Sequence, residues 1–453
     1  MDYEKPNYIS SGKILELKQC SAVEESCGMR PLEVTAVLPT FNRGNQKYMS
    51  ILSDILQKIG HQVDKGVVDE LLIIDGSTKN GEIDKEFLQD MLNIFFEHCQ
   101  TFQRELEFIE SLPAARLRAG SGRYEFCCKV IHQRDEIISE ILENQGIFDR
   151  VQREEIKNGK GSALWLSVPT SRGDIIAFLD SDIKSFEEYY VTDLVYPILK
   201  DVEEFQGYGS STLFSKASYL RQHDHGDRYR LGGRLARLAI KPIFEILDEK
   251  LGKDEMRSIK YPLSGEVAFH REALNHIRFS NGYDIEVSML FQFMNNYGKE
   301  KMAQPNFGFY QHLPGPETHV KHMLGGISHA IFNWLEEYED KDKEEIEKLL
   351  QEILDDYKER AFEKLEHYRE IGKKYSSRVT YCKEDIEEDK ERIENYDKIM
   401  KDEMLENKEL NLLPKWASIK SELNEKRGYS YNALKRAMGK RVNMFTAEMI
   451  SEI

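Results

Sequence analysis

Three short apolar runs, each ending in small polar residues, constrain this chain more than any other feature. Val34-Thr-Ala-Val-Leu-Pro39 leads into Thr40-Phe-Asn42, Val67 to Ile74 leads into Asp75-Gly-Ser-Thr78, and Asp174 to Leu179 leads into Asp180-Ser-Asp182. Runs of this length and composition read as buried strands. Helical periodicity fills the gaps, with a helix through Ile59, another stretch from Ile83 to Leu112, and a third after Gly159-Lys-Gly161. A further helix is expected from about Phe186 to Phe205, after the third run. Strands alternating with helices imply βαβ units and a mostly parallel sheet. Open sheets of this kind bind ligands outside the carboxyl ends of their strands. The polar residues that end the runs therefore mark a crevice.

The chain has 453 residues, 40% of them hydrophobic, which is ample for a large core and for two or three structural units. Its formal net charge of −17 argues against a general nucleic-acid binder, which would carry a basic face. A nucleotide sugar is not excluded, since a metal can supply positive charge locally. The N-terminus lacks the pattern of a signal peptide, and no apolar run is long enough to span a bilayer. The six cysteines form neither a zinc spacing nor a disulfide framework, so a reducing, cytoplasmic location is expected. Residues 1–30 read as a lead-in and 31–330 as the α/β unit. Residues 331–453 read as an acidic helical extension, with Leu349, Leu350, Ile353, Leu354, Tyr357 and Leu365 at helical spacing. Such a face packs on the main unit or on a second subunit.

Several clusters can carry chemistry. Side chains alternate along a strand, so Asp180 and Asp182 share a face if the extended geometry persists. Two carboxylates there suit Mg²⁺ or Mn²⁺ holding a diphosphate; the alternative is a solvated acidic turn. Asp75 can bond a base or ribose, or it can cap the next helix. Lys160, between two glycines, offers a point charge to a diphosphate or sits in a surface turn. Leu231-Gly-Gly-Arg-Leu-Ala-Arg237 places Arg234 in the first turn of a helix, a natural site for an acidic group. Arg221, Arg228 and Arg230 precede it, with His223 and His225. Tyr261-Pro-Leu-Ser-Gly-Glu266 is a compact polar turn. Gly282-Tyr-Asp-Ile-Glu286 opens a helix whose acids either face a reacting sugar or favour the helix dipole. His312 follows the strand-like run Asn306 to Tyr310 and gains interest as a metal ligand beside Asp182.

In this order, these pieces resemble the retaining glycosyltransferases of GT-A fold that make glucosyl-3-phosphoglycerate. The motifs that carry the likeness are Gly159-Lys-Gly-Ser-Ala-Leu-Trp165, Ser171-Arg-Gly-Asp-Ile175 into Asp180-Ser-Asp182, Gly232-Gly-Arg234, Pro262-Leu-Ser-Gly-Glu266, Gly282-Tyr-Asp-Ile-Glu286 and His312. The likeness covers roughly residues 30 to 330, and the mannosylglycerate synthases look like more distant relatives. It implies an α/β GT-A fold with a nucleotide-sugar half, 31–182, and an acceptor half, 183–330. It further implies that Pro39, Asn42, Asp75 and Ser77 line the nucleotide pocket and that Lys160 contacts the diphosphate. Asp182 and His312 would hold Mg²⁺ or Mn²⁺, and Asp180 would support the donor. Leu263, Ser264, Gly265 and Glu266 would shape the sugar pocket. Gly233 and Arg234 would take the acceptor's acidic groups, and Glu286 would lie nearest the acceptor hydroxyl. A homodimer is a further expectation.

The chain departs from the family pattern at three places. Arg43 stands where an acidic residue is usual, Ala236 where a threonine helps hold the acceptor, and Leu313-Pro314 where an Arg-Asn pair is usual. The last two changes remove polar groups near the acceptor. The expected activity is metal-dependent, retaining transfer of glucose from UDP-glucose to 3-phosphoglycerate or a related small hydroxy acid, in compatible-solute synthesis. The alternatives are a family-2-like transferase with another donor and acceptor, a nucleotidyltransferase, or a catalytically weak nucleotide-sugar-binding scaffold.

Overall fold

A computed structural model describes residues 2–20, 22–25, 28–42, 44–110, 125–147, 151–204, 212–282, 284–313, 319–339, 341–404, 412–425 and 430–451. Arg43 and Pro314 lie outside the described residues. The first expected strand is β1 (Val34–Thr40), followed by helix α1 (Gln46–Asp64), whose N-cap Asn45 accepts from the Tyr48 amide. Next come β2 (Glu70–Asp75), α2 (Lys85–His98) and β3 (Cys128–His132). The helical stretch expected from Ile83 to Leu112 is two helices. The chain turns extended at Cys99, and the Asp64 carboxylate caps the second helix, Gln100–Glu110, by accepting from the Gln100 and Thr101 amides at 3.0 and 2.8 Å.

Helix α3 (Lys160–Thr170) leads to β4 (Ile175–Phe178) and α4 (Tyr189–Glu204). Strands β5 (Phe214–Lys216), β6 (Ser218–His225) and β7 (Arg228–Leu231) follow, then α5 (Lys241–Leu251), β8 (Val267–His270) and α6 (Ile285–Tyr297). The next strands are β9 (Met302–Ala303) and β10 (Asn306–Tyr310).

The main sheet has seven strands in the order β9-β5-β8-β4-β1-β2-β3. Strands β4, β1, β2 and β3 are parallel, whereas β8 runs antiparallel to both β4 and β5. Four parallel strands joined to β5 through one reversed strand, with helices between them, bear out the expected α/β class. The parallel strands are buried along nearly their whole length, as a sheet covered on both faces requires.

The C-terminal part is helical: α7 (His319–Tyr338), α8 (Lys343–Lys374), α9 (Lys383–Glu403), α10 (Trp416–Glu425) and α11 (Tyr431–Ser451). Helix α7 crosses residues 330 and 331 without a break. Between α8 and α9, β11 (Val379–Thr380) adds a strand to β7, extending a second sheet of order β10-β6-β7-β11. Leu412–Leu413 pairs with Phe279–Ser280, and α11 lies on β3 and α3. One hydrophobic cluster runs from Val37 and Phe178 in the sheet through Trp165 to Trp416 and Val442.

Candidate active site

The loop after β4 corrects the first sequence expectation. The strand stops at Phe178, and Asp180 to Asp182 form a turn, so the two carboxylates share no strand face. Asp180 turns to Lys160, whose Nζ lies 2.5 Å from its Oδ1. Asp182 instead belongs to a pairing with the end of β10. The Leu313 amide donates to the Asp182 carbonyl at 2.9 Å, and Ile183 bridges His312. This pairing places Asp182 and His312 on adjacent backbone segments, with Ile183 opposite His312 and Leu313 opposite Asp182. The Tyr48 hydroxyl donates to Ser181 Oγ at 3.0 Å and fixes the turn from α1. His312 Nδ1 lies against the Leu313 carbonyl and 3.1 Å from Arg221 Nη2.

Lys160 also reaches Glu286 Oε1, at 2.8 Å. Burial works against its charge, but Asp180 and Glu286 outweigh burial and hold the ammonium well above the usual lysine range. The glycines around Lys160 have a different task from the one their sequence implies. A Cβ on Gly161 would stand 1.7 Å from the Ser280 carbonyl oxygen, and one on Gly159 2.2 Å from Asn281 Oδ1. The close approach they permit is therefore to the Ser280–Asn281 turn, which leads into α6. Asp284 holds that turn by accepting from Ser280 Oγ at 2.8 Å, and Glu286 follows in the first turn of α6. Gly265 closes on the cluster from elsewhere: its Cβ would meet Asp180 Oδ2 at 2.5 Å and Lys160 Nζ at 2.7 Å.

Beneath Gly265 the polar groups are buried and paired. Glu266 accepts from the Tyr310 hydroxyl at 2.6 Å and from Ser264 Oγ at 3.1 Å. Burial, with the Asp180 charge nearby, raises its carboxyl to about 7. Lys216, in β5, donates to the Ser264 carbonyl at 2.7 Å, and burial holds its ammonium down at about 8. The sequence reading passed over Lys216 and Tyr310. Lys216 lies in the three-residue strand Phe214-Ser-Lys216, which carries no local signal for a buried cation.

The residues expected at the nucleotide form a second cluster at the ends of β1 and β2. Asp75 is fully buried and accepts from Thr40 Oγ1 at 2.9 Å, Ser77 Oγ at 2.7 Å and the Ser77 amide at 2.9 Å. Burial raises its carboxyl to about 6 against these donors. Ser77 Oγ accepts from the Asn42 amide at 2.6 Å, while the Asn42 side-chain amide donates to Asp84 at 2.9 Å. Pro39 stands one residue before the end of β1. These groups set the shape of the loops and are largely spent on one another.

A cleft of about 610 Å³ opens between the two sheets. Asp180, Arg221, Gly233, Leu263, Glu286 and His312 all line it. Arg234 reaches it too, but its Nε donates to Asp389 Oδ1 of α9 at 2.7 Å, a partner the sequence did not foretell. Of the upstream arginines, Arg230 pairs with Asp385 and Glu388, and Arg228 is exposed on the β6–β7 hairpin.

No protein-family model matches the chain. Eight curated proteins match it strongly, and all are named glucosyl-3-phosphoglycerate synthase. The protein of Mycolicibacterium paratuberculosis is 34% identical over 181 residues, 39% of this chain and 50% of that one. That of Mycobacterium tuberculosis H37Rv is 26% identical over 304 residues, 66% of this chain and 71% of that one. The match therefore spans half the length of the first relative. Among solved structures, glucosyl-3-phosphoglycerate synthase from Mycobacterium tuberculosis with Mn²⁺, UDP and glucosyl-3-phosphoglycerate matches at a TM-score of 0.47 and 23% identity, over 75% of this chain and 87% of that one. In its motifs and in its sequence matches, the chain is similar to the glucosyl-3-phosphoglycerate synthases.

Proposed function

We propose that this chain is a metal-dependent, retaining glycosyltransferase that moves glucose from UDP-glucose to 3-phosphoglycerate or a closely related small hydroxy acid. The observation that carries the reading is the convergence of Lys160, Asp180 and Glu286 at a cleft that His312 also lines, with Asp182 paired to the His312 segment. Similarity to relatives named for this activity supports it. A cytoplasmic location and a homodimer belong to the same reading; no described helix is long and apolar enough to cross a membrane.

Asp182 and His312 would hold the ion, since one carboxylate oxygen and one imidazole nitrogen suit Mn²⁺ or Mg²⁺. Among the described residues no three His, Cys, Asp or Glu side chains converge as a metal cage. When bound, the ion supplies Lewis acidity toward the leaving diphosphate. Lys160 adds a fixed cation for the negative charge that develops there, held in place by Asp180 and Glu286 before substrate arrives. Glu286 stands in the first turn of α6 with its side chain 15% exposed, facing the cleft. It is placed to orient the acceptor hydroxyl against the sugar. In front-face transfer the leaving phosphate takes the acceptor's proton, so no separate base is required.

The test is release of UDP from UDP-glucose with Mn²⁺ or Mg²⁺, with and without 3-phosphoglycerate and glycerate. Strong stimulation by 3-phosphoglycerate is expected. Stimulation by glycerate alone reassigns the acceptor. Release of pyrophosphate in place of UDP, or no metal-dependent turnover with any acid, would sink the reading.

A further inference from the structure

The arginines that precede and open the turn at Gly233 are engaged by the C-terminal helix. Asp389 of α9 is fully buried and accepts from Arg234 Nε at 2.7 Å, Arg237 Nη2 at 2.6 Å and the Tyr381 hydroxyl at 2.8 Å. Asp385, one turn earlier, and Glu388, one residue earlier, pair with Arg230, the latter at 2.7 Å. Residues 385, 389, 392 and 396 recur at helical spacing and share one face of α9. The same face that clamps the arginines thus carries Arg392 and Tyr396 forward, and both line the cleft beside Arg221, Arg234 and Glu286.

Charge at this corner does not balance. Among the described residues, the cleft lining holds six side-chain cations (Lys47, Lys184, Arg221, Arg230, Arg234, Arg392) against Asp180, Asp224 and Glu286, and Asp385, Glu388 and Asp389 of α9 back the arginines from behind, in a chain of net charge −17. Arg234 is held below its usual range, by burial first; Asp389 opposes, and Arg392, Arg230 and Arg237 add to the lowering. Donor capacity is left over as well. Arg234 Nη2, a buried atom of a cleft-lining residue, makes no hydrogen bond among the described residues and stands 3.6 Å from Glu388, while the Tyr261 hydroxyl lies beside the Arg221 guanidinium at the same cleft. A buried donor and surplus positive charge around one opening form a site for an anion. Ala236, which stands where the family pattern has a polar residue, lines the same cleft.

Resting on the reading above, we propose that α9 is part of the acceptor subsite: Arg392, with Arg221 and Tyr396, binds the acid group of the acceptor, while Asp385 and Asp389 hold Arg230 and Arg234 as its rigid backing. The specificity of this chain then resides partly in its C-terminal extension. The ligand class is a small acid carrying one or two anionic groups, and Tyr396 offers it an aromatic wall.

The experiment titrates 3-phosphoglycerate, glycerate and inorganic phosphate into the full-length protein holding Mn²⁺ and UDP, by calorimetry. UDP affinity is measured in the same preparations. Arg392→Ala is expected to weaken binding of the tightest of the three anions about tenfold or more, the worth of a charge-assisted contact, with UDP affinity unchanged. Arg392→Lys should recover part of the loss. Arg392 has a side chain 31% exposed, so its removal leaves no buried hole, and an unchanged melting temperature checks this. Equal anion affinity in wild type and Arg392→Ala overturns the proposal, as does wild type that binds UDP but none of the anions. Failure to bind UDP would count against the nucleotide-sugar reading, and the anion titration would still decide the role of Arg392.

Discussion

Gly161 and Gly265 both press on the Lys160 cluster, and they predict opposite kinds of damage. The contact of a Gly161 Cβ would be backbone, the Ser280 carbonyl at 1.7 Å, which cannot step aside without moving the turn into α6. The contacts of a Gly265 Cβ would be the tips of Asp180 and Lys160, at 2.5 and 2.7 Å, which can swing away. Gly161→Ala should therefore cost roughly 2–3 kcal/mol or more of stability, in the range of overpacking in a tight core. Gly265→Ala should melt within a few degrees of wild type yet lose most of its turnover, because it displaces the ion pair at the cleft. Melting curves and UDP release on both variants check this; equal loss of stability in the two would remove the distinction. The sequence singled out the residues that meet here by two local signals: Asp180 and His312 follow apolar runs, while Lys160 and Glu286 open helices. What they touch was not legible there. Only tertiary structure shows Ser280 and Asn281 against the two glycines that flank Lys160. Lys216 was missed because a single buried lysine leaves no periodic signature.

Elements carry a second prediction through Asp193 of α4. Its carboxylate is fully buried and accepts from the Ile9 amide at 2.7 Å and the Tyr8 amide at 3.3 Å, tying the N-terminal segment to the helix. Burial raises its carboxyl to about 7, from 3.8, with the two amides only partly opposing. The folded state thus binds a proton that the unfolded chain releases between about pH 4 and pH 7. The unfolded state binds fewer protons there, so stability from this group is full below pH 4 and is lost as pH rises through 7. The melting temperature of wild type relative to Asp193→Asn should fall across that window and level off above it. Parallel curves would show that the group does not titrate there. The same scale explains where the sequence reading of elements stopped. Strand ends were placed within a few residues because β-branched runs and polar terminators are local signals. The break at Cys99 was hidden because its cap, Asp64, lies 35 residues away in sequence. Whether the strand persists through Asp180–Asp182 was open in the sequence because the segment's pairing partner, Leu313, lies farther still along the chain.

At the scale of the whole molecule, the C-terminal helices enclose the site from two directions. On one side, α9 supplies Asp389 to Arg234 and Arg237. On the other, Leu412–Leu413 pairs with Phe279–Ser280, the strand that precedes the turn against Gly161. Trp416 stacks on Trp165 of α3 at 4.4 Å between ring centroids, each indole nitrogen donating to a backbone carbonyl across the contact. Farther along, Arg441 of α11 pairs with Asp135 at 2.8 Å, and Thr446 Oγ1 accepts from the Val130 amide of β3 at 3.0 Å. The amphipathic pattern past residue 330 foretold helices that pack on something; it did not say that they would cap a sheet edge and brace the turn before α6. Stability should therefore not divide at that point. Removing residues 331–453 strips Asp135 and the Arg234–Arg237 pair of their buried partners. Each loss is worth about 3–5 kcal/mol, against a total stability of about 5–15 kcal/mol for a protein. The truncation also exposes Trp165, which is fully buried in the intact chain. The expected result is one cooperative unfolding transition for the full chain, and no cooperative melt and no UDP binding for residues 1–330. A soluble 1–330 fragment with a sigmoidal melt and intact UDP affinity would show instead that the helices are an added layer on an independently stable enzyme.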